Sequence, residues 1–329
     1  MLRRVSLLIL LLLTCAAGAW WWIVQRPLQL PSPPYTLSIK PGTSLRGAAR
    51  ELTRAGVIPG EWVLVGLARF TGADRNMKAG SYEFAAGTTL AQLLAKLSQG
   101  DVLQTSFTIV EGWTFAELKD ALRQRDDVSK TAIDLNESEL MRRIGAAERQ
   151  AEGLFLPETY FFAAGDTDLA LLTRAYRMMH DRVATAWAAR APDLPLATPY
   201  EAVILASLVE KETGRPADRP LVASVFINRL KQRMRLQTDP TVIYGLGASF
   251  DGRLRREHLE TDQAYNTYTR EGLPPTPIAF PSQASLDAVM HPPSSPYLYF
   301  VARGDGSSEF STTLVEHNRA VAKYQRGRR

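Results

Sequence analysis

The sequence is poor in the residues that build cross-links and metal centres. Cys15 is the single cysteine among 329 residues, which excludes a disulfide framework and a cysteine-based zinc site. The histidines, His180, His258, His291 and His317, lie far apart and no HExxH run occurs. No metal and no cofactor is therefore expected. Glycine and proline stand at ordinary levels, 22 and 20 residues, and 45% of the chain is hydrophobic. That sets aside disordered, collagen-like and low-complexity classes. Neither charge dominates: 39 Lys and Arg face 34 Asp and Glu, a net charge of +5. Basic residues are dispersed apart from the short Arg326–Arg329 tail, so no nucleic-acid partner is expected. The length suits two domains, each able to bury a core.

Charge is also missing from Val5 to Val24. A helix of that length spans the hydrocarbon of a bilayer. Arg3 and Arg4 precede it and belong on the cytoplasmic side, while Trp20, Trp21 and Trp22 suit the far interface. The reading is a cytoplasmic stub (1–4), a single-pass anchor (5–24) and a remainder on the far side of the membrane. Two readings compete with an uncleaved anchor. Ala17-Gly18-Ala19 has the small-x-small form of a signal cleavage site, and Leu12-Leu13-Thr14-Cys15 loosely resembles a lipobox. Residues 25–34 hold four prolines and read as a stiff spacer.

A weak repeat follows. Lys40-Pro41-Gly42-Thr43-Ser44-Leu45, Ala85-Ala86-Gly87-Thr88-Thr89-Leu90 and Val110-Glu111-Gly112-Trp113-Thr114-Phe115 each place Gly before a Ser or Thr cap and an apolar-periodic segment. Gln92 and Glu117 complete capping boxes. Each unit reads as strand, glycine turn, capped helix. The first two copies flank a helical stretch from Glu61 to Thr71, and the strand–helix–helix–strand pattern resembles a LysM-like carbohydrate-binding module. The expected class is α+β: the transmembrane helix, a LysM-like module over 35–104 and a larger catalytic domain over 105–329.

Further along, Thr198 caps a helix that Pro199 opens and that is apolar nearly all round from Ala202 to Val209. Glu210 arrives at its end. A carboxyl buried there has a raised pKa, as a general acid needs; the alternative is a surface acid in an ordinary Glu-Lys-Glu helix end. The loops beyond are dense in Tyr, Asn, Gln, Thr and Pro, residues that hold sugars and also build ordinary turns.

Several motifs are longer than chance allows. Glu210-Lys211-Glu212-Thr213, Ala223-Ser224-Val225-Phe226-Ile227-Asn228-Arg229-Leu230, Leu236-Gln237-Thr238-Asp239-Pro240-Thr241-Val242-Ile243-Tyr244-Gly245, Tyr265-Asn266-Thr267-Tyr268 and Tyr297-Leu298-Tyr299-Phe300-Val301 closely resemble the YceG-like (MltG) endolytic murein transglycosylases. The resemblance implies an inner-membrane enzyme that cuts peptidoglycan strands internally, alongside peptidoglycan synthases (penicillin-binding proteins). It places the catalytic acid/base on Glu210. Gln237, Thr238, Asp239, Tyr244, Asn266 and Tyr268 would position the sugar, although Asp239 could instead cap a helix starting at Pro240. A lytic transglycosylase needs a single carboxylate, because the MurNAc 6-hydroxyl is a tethered nucleophile. Glu210 would then face a groove walled by the 236–245 and 264–268 loops, with Glu212 on another face. Two other functions share these features: a non-catalytic glycan-binding scaffold, and a hydrolytic muramidase with Glu212, Glu158 or Asp239 as second carboxylate.

Overall fold

The computed structural model describes residues 2–40, 42–147, 149–163 and 165–324, without the side chains of 2–4, 6, 8 and 75. The Arg3–Arg4 side chains and the Arg326–Arg329 tail thus lie outside the described residues. The architecture is α+β. The chain forms two compact units, Met1–Ser106 with Phe161–Asp166, and Phe107–Tyr160 with Thr167–Arg329.

The first unit contains α1 (Leu2–Gln25), β1 (Tyr35–Ile39), α2 (Leu45–Arg54), α3 (Glu61–Thr71), β2 (Gly80–Phe84), α4 (Leu90–Gln99) and the start of β3 (Gln104–Thr108). β1 and β2 pair antiparallel with Leu37 opposite Tyr82. Their alternation sends Leu37, Ile39, Tyr82 and Phe84 inward, against Leu52, Leu64, Leu93 and Leu97 of the helices. The caps read from the sequence form: Ser44 accepts from the Gly47 N–H, and Thr89 with Gln92 closes a capping box.

Among the described residues no helix is long and apolar enough to cross a membrane. The end of α1 belongs to the unit's core: Val24 is buried, and Trp20 and Ile23 pack against it. Trp21 and Trp22 remain exposed. The 25–34 segment, expected as a stiff spacer, is partly packed. Pro27 bridges Thr89, the Leu28 N–H donates to the Thr88 carbonyl at 2.8 Å, and Leu28 and Leu30 lie on the core. Its leucines have apolar surface to bury, which proline content alone does not reveal.

The second unit continues with α5 (Phe115–Arg123), α6 (Glu137–Ile144), β4 (Thr159–Ala163), α7 (Asp168–Ala188), α8 (Pro199–Glu212), α9 (Arg219–Lys231), α10 (Asp239–Leu246), α11 (Arg256–Glu260), α12 (Gln283–Met290), β5 (Tyr299–Ala302), β6 (Ser308–Ser311) and α13 (Leu314–Tyr324). β3 pairs with β4, and β5 pairs antiparallel with β6. Helix α8 is the centre. Every residue from Ala202 to Val209 is buried, against Val222 and Phe226 of α9 and Leu286 and Val289 of α12. Each such large apolar side chain contributes about 1.5–3 kcal/mol on burial. The buried hydroxyl of Ser207 accepts from the Ile278 N–H and donates to the Ile204 carbonyl, fixing the loop that leads into α12.

Candidate active site

Helix α8 ends where Thr213 turns to an extended conformation, φ −142°. Its last turn carries two acids, Glu210 and Glu212, two residues apart and so about 200° round the helix. Their surroundings differ. Glu210 Oε2 accepts from the Ser282 N–H at 2.9 Å, from the Ser282 hydroxyl, and from the Ser285 hydroxyl at 2.6 Å. Its Oε1 faces an Arg219 nitrogen at 3.6 Å, and its side chain is 7% exposed. Glu212 accepts the Thr238 hydroxyl at 2.5 Å. Burial, and then the negative charge of Asp239, push the Glu212 carboxyl above the ordinary carboxylate range against the Thr238 bond.

Glu212 lines a cleft of about 500 Å³ whose walls include Arg229, Gln237, Asp239, Tyr268, Tyr299 and His317. Thr238 precedes α10 without capping it, because its hydroxyl is committed to Glu212 and its N–H to the Thr267 hydroxyl at 3.1 Å. Asp239 accepts the Tyr268 hydroxyl at 2.5 Å. Gln237 adopts φ +50°, a left-handed backbone that costs a non-glycine residue about 1 kcal/mol or more. Its N–H donates to the Thr267 carbonyl at 3.1 Å, which holds that turn. Arg229 donates to the carbonyls of Leu298, Arg235 and Leu236 at 2.7, 3.1 and 2.9 Å and lies over the Tyr299 ring at 5.1 Å. Tyr299 in turn stacks on His317 with centroids 5.2 Å apart. The result is a layered cationic and aromatic wall facing a carboxyl whose pKa burial has raised. Such a group can give a proton to a leaving oxygen and then take one back.

The chain matches the YceG-like family over residues 37–323. It belongs to that family. It is 31% identical over 305 residues to the endolytic murein transglycosylase of Bacillus subtilis, a match covering 88% of this chain and 84% of that protein. It is 25% identical over 324 residues to the protein of the same name from Streptococcus pneumoniae, covering 88% of this chain but 58% of that longer protein. A putative yceG-like protein from Listeria monocytogenes, a solved structure, superposes with a TM-score of 0.54 at 29% identity, covering 88% of this chain and 99% of that one.

In this YceG-like chain the residues read from the sequence separate into groups. Gln237, Thr238, Asp239 and Tyr268 come together, but around Glu212. Glu210, expected to face the 236–245 and 264–268 loops, lines a different cleft with Glu111, Glu158 and Arg219. The α8 rotation points the second acid of the motif, not the first, at those loops. Asn266 is fully buried and spends its amide on the fold: Nδ2 donates to the carbonyls of His258, Leu259 and Thr261, and Oδ1 accepts from the Tyr268 N–H. It shapes the loop and has no group left for a sugar. Tyr244 turns to Glu152, to which its hydroxyl donates at 3.0 Å, and packs edge-on against Tyr265. Glu152 also accepts the Phe115 N–H at 3.0 Å, and burial raises its pKa to about 7. Arg229, Tyr299 and His317 line the same cleft without being singled out by the sequence. The first two stand inside the quoted motifs, but their linear spacing carries no sign of a shared cleft.

Proposed function

We propose that this chain is a membrane-anchored endolytic murein transglycosylase. It cleaves the MurNAc–GlcNAc bond within nascent glycan strands and leaves a 1,6-anhydroMurNAc end. The observation that carries the reading is the Glu212 cleft, in a chain whose Bacillus subtilis relative bears that enzyme name over 84% of its length. Glu212 serves as the single acid/base. With its pKa raised by burial, it delivers a proton to the leaving GlcNAc oxygen as the anomeric carbon gains positive charge. Its carboxylate then removes the proton of the MurNAc 6-hydroxyl as that oxygen closes on the same carbon. Water is not consumed, and tethering of the nucleophile replaces a second protein carboxylate. Gln237, Asp239 and Tyr268 bind sugar hydroxyls, and the Tyr299 ring offers a face to a pyranose. Arg229 holds the wall in place through its carbonyl contacts.

The charge-free Val5–Val24 run of the sequence, behind Arg3 and Arg4, supports the anchor, with the N-terminus cytoplasmic and the remainder periplasmic. The strand–helix–helix–strand unit with antiparallel β1 and β2 supports a LysM-like module that engages glycan without doing chemistry. Peptidoglycan synthases are the partners that would present nascent strands.

Asp239 stands in the same cleft as Glu212 and favours a second reading, a two-carboxylate muramidase. Mass spectrometry of products from purified murein separates the two. Anhydro ends that disappear in Glu212→Gln support the transglycosylase, reducing ends support the muramidase, and the absence of both from wild-type protein overturns enzymatic function.

A further inference from the structure

The cleft beside Glu210 is separate from the one that Glu212 lines. It has about 480 Å³, and its walls include Thr108, Val110, Glu111, Glu158, Glu210 and Arg219. Arg219 is the unusual member. It is 9% exposed, yet its Nε–H is buried without a partner. It stands in the first turn of α9, where the helix dipole disfavours a cation. The nearby Glu210 carboxylate, at 3.6 Å, is beyond hydrogen-bond reach and already takes three donors from Ser282 and Ser285. A buried guanidinium with an idle donor is costly in isolation, and an acceptor brought by a ligand would relieve it.

The rim has the opposite character. Glu111 and Glu158 are both exposed. Glu111 sits on a turn fixed by the Gly112 N–H donating to the Phe280 carbonyl at 2.9 Å and by Lys211 donating to the Gly112 carbonyl at 3.1 Å. Glu158 is set by the adjoining Ile109 N–H, which donates to its carbonyl at 3.0 Å. An acceptor seat at depth and two carboxylates at the mouth suit a ligand carrying both a carboxylate or amide oxygen and a protonated amine. A simple anion would be repelled by the rim.

We propose that this cleft is a second binding site of the enzyme, for the peptide substituent of the glycan strand: Arg219 takes a peptide oxygen and Glu111 with Glu158 takes an amine. The inference rests on the strand being the substrate. Because α8 places Glu210 and Glu212 about 200° apart, the peptide and the scissile sugar would be held on different sides of one helix end.

The test uses the full chain in detergent and two substrates, peptide-bearing strands and the same strands stripped of peptide by an amidase. Wild type should show a KM about tenfold lower on peptide-bearing strands, the scale of one charged hydrogen bond. Arg219→Gln should bring the ratio of the two KM values close to one, as should the double variant Glu111→Gln/Glu158→Gln. The double variant alters exposed side chains, so it decides the matter if Arg219→Gln fails to fold. No wild-type preference, or a preference that survives both changes, overturns the proposal. If wild type cuts neither strand, the enzymatic reading has failed, and calorimetric titration with the tripeptide alanyl-glutamyl-lysine judges the cleft alone. Binding weakened by the double variant supports it, and no binding overturns it.

Discussion

Glu210 and Glu212 share a helix turn and a chemical identity but occupy opposite kinds of environment. Around Glu210 the protein supplies a backbone N–H and two serine hydroxyls, all aimed at one oxygen. Donors in that number satisfy the oxygen and hold the side chain still. Around Glu212 one threonine hydroxyl faces a carboxyl beside another acid and an open cleft. That setting favours a proton and leaves room for a sugar. The contrast shows how a fold places equivalent side chains in different settings: one carboxylate is held by three donors, and the other takes a single hydroxyl and lines a cleft.

The sharpest way to break this comparison is to neutralise each acid in turn. Glu212→Gln keeps an oxygen for the Thr238 hydroxyl but has no proton to transfer, so release of anhydro products should fall about 10²–10⁴-fold with circular dichroism unchanged. Glu210→Gln should lose less activity and more stability. Its clasp with the two serines weakens, at a cost of about 1–3 kcal/mol readable as a lower melting temperature. Reversal of that pattern would return the catalytic role to Glu210.

A smaller effect sharpens the picture of the Glu212 side. Tyr268→Phe removes the hydroxyl that Asp239 accepts. Turnover should drop roughly tenfold, the scale of one hydrogen bond to a charged group, with the fold intact because Asn266 still holds the loop. Unchanged kinetics would remove Tyr268 and Asp239 from the cleft's working set.

The smallest expected effect involves a third acid, away from both. Glu152 titrates near 7 in the folded chain, against an ordinary value of 4.5. Between those values the folded state holds a proton that the unfolded state has released. The stabilisation is therefore complete below about pH 4.5 and fades as pH rises through 7. Glu152→Gln should flatten the fall in melting temperature over that interval, and an undiminished slope in the variant would assign the effect elsewhere.

Much of the fold was legible because it is written in periodicity and caps. The Thr198–Pro199 helix start, the Ser44 and Thr89 caps and the alternation through Leu37 and Ile39 each depend on residues a few positions apart. The site was legible as a set of residues but not as an arrangement. Gln237, Thr238, Asp239 and Tyr268 do gather. Which acid they gather around depends on the rotation of α8 against α9 and α12, a packing property that no local spacing records. Asn266 looked like a sugar ligand because an amide serves a ligand or a loop equally well. Only its three backbone carbonyl partners reveal the second use. Arg229 and Tyr299 meet across 70 residues of chain, beyond any local pattern.

The clasp on Glu210 also bears on timing. Its donors lie 72 and 75 residues downstream of the acid they hold, and His317, farther still, forms part of the other acid's cleft. Contacts so distant along the chain close late, since the entropy of the intervening loop must be overcome first. On a ribosome, the helix carrying both acids emerges well before the segments that fix one and enclose the other. Neither acid has its full surroundings until the α12 to α13 region docks.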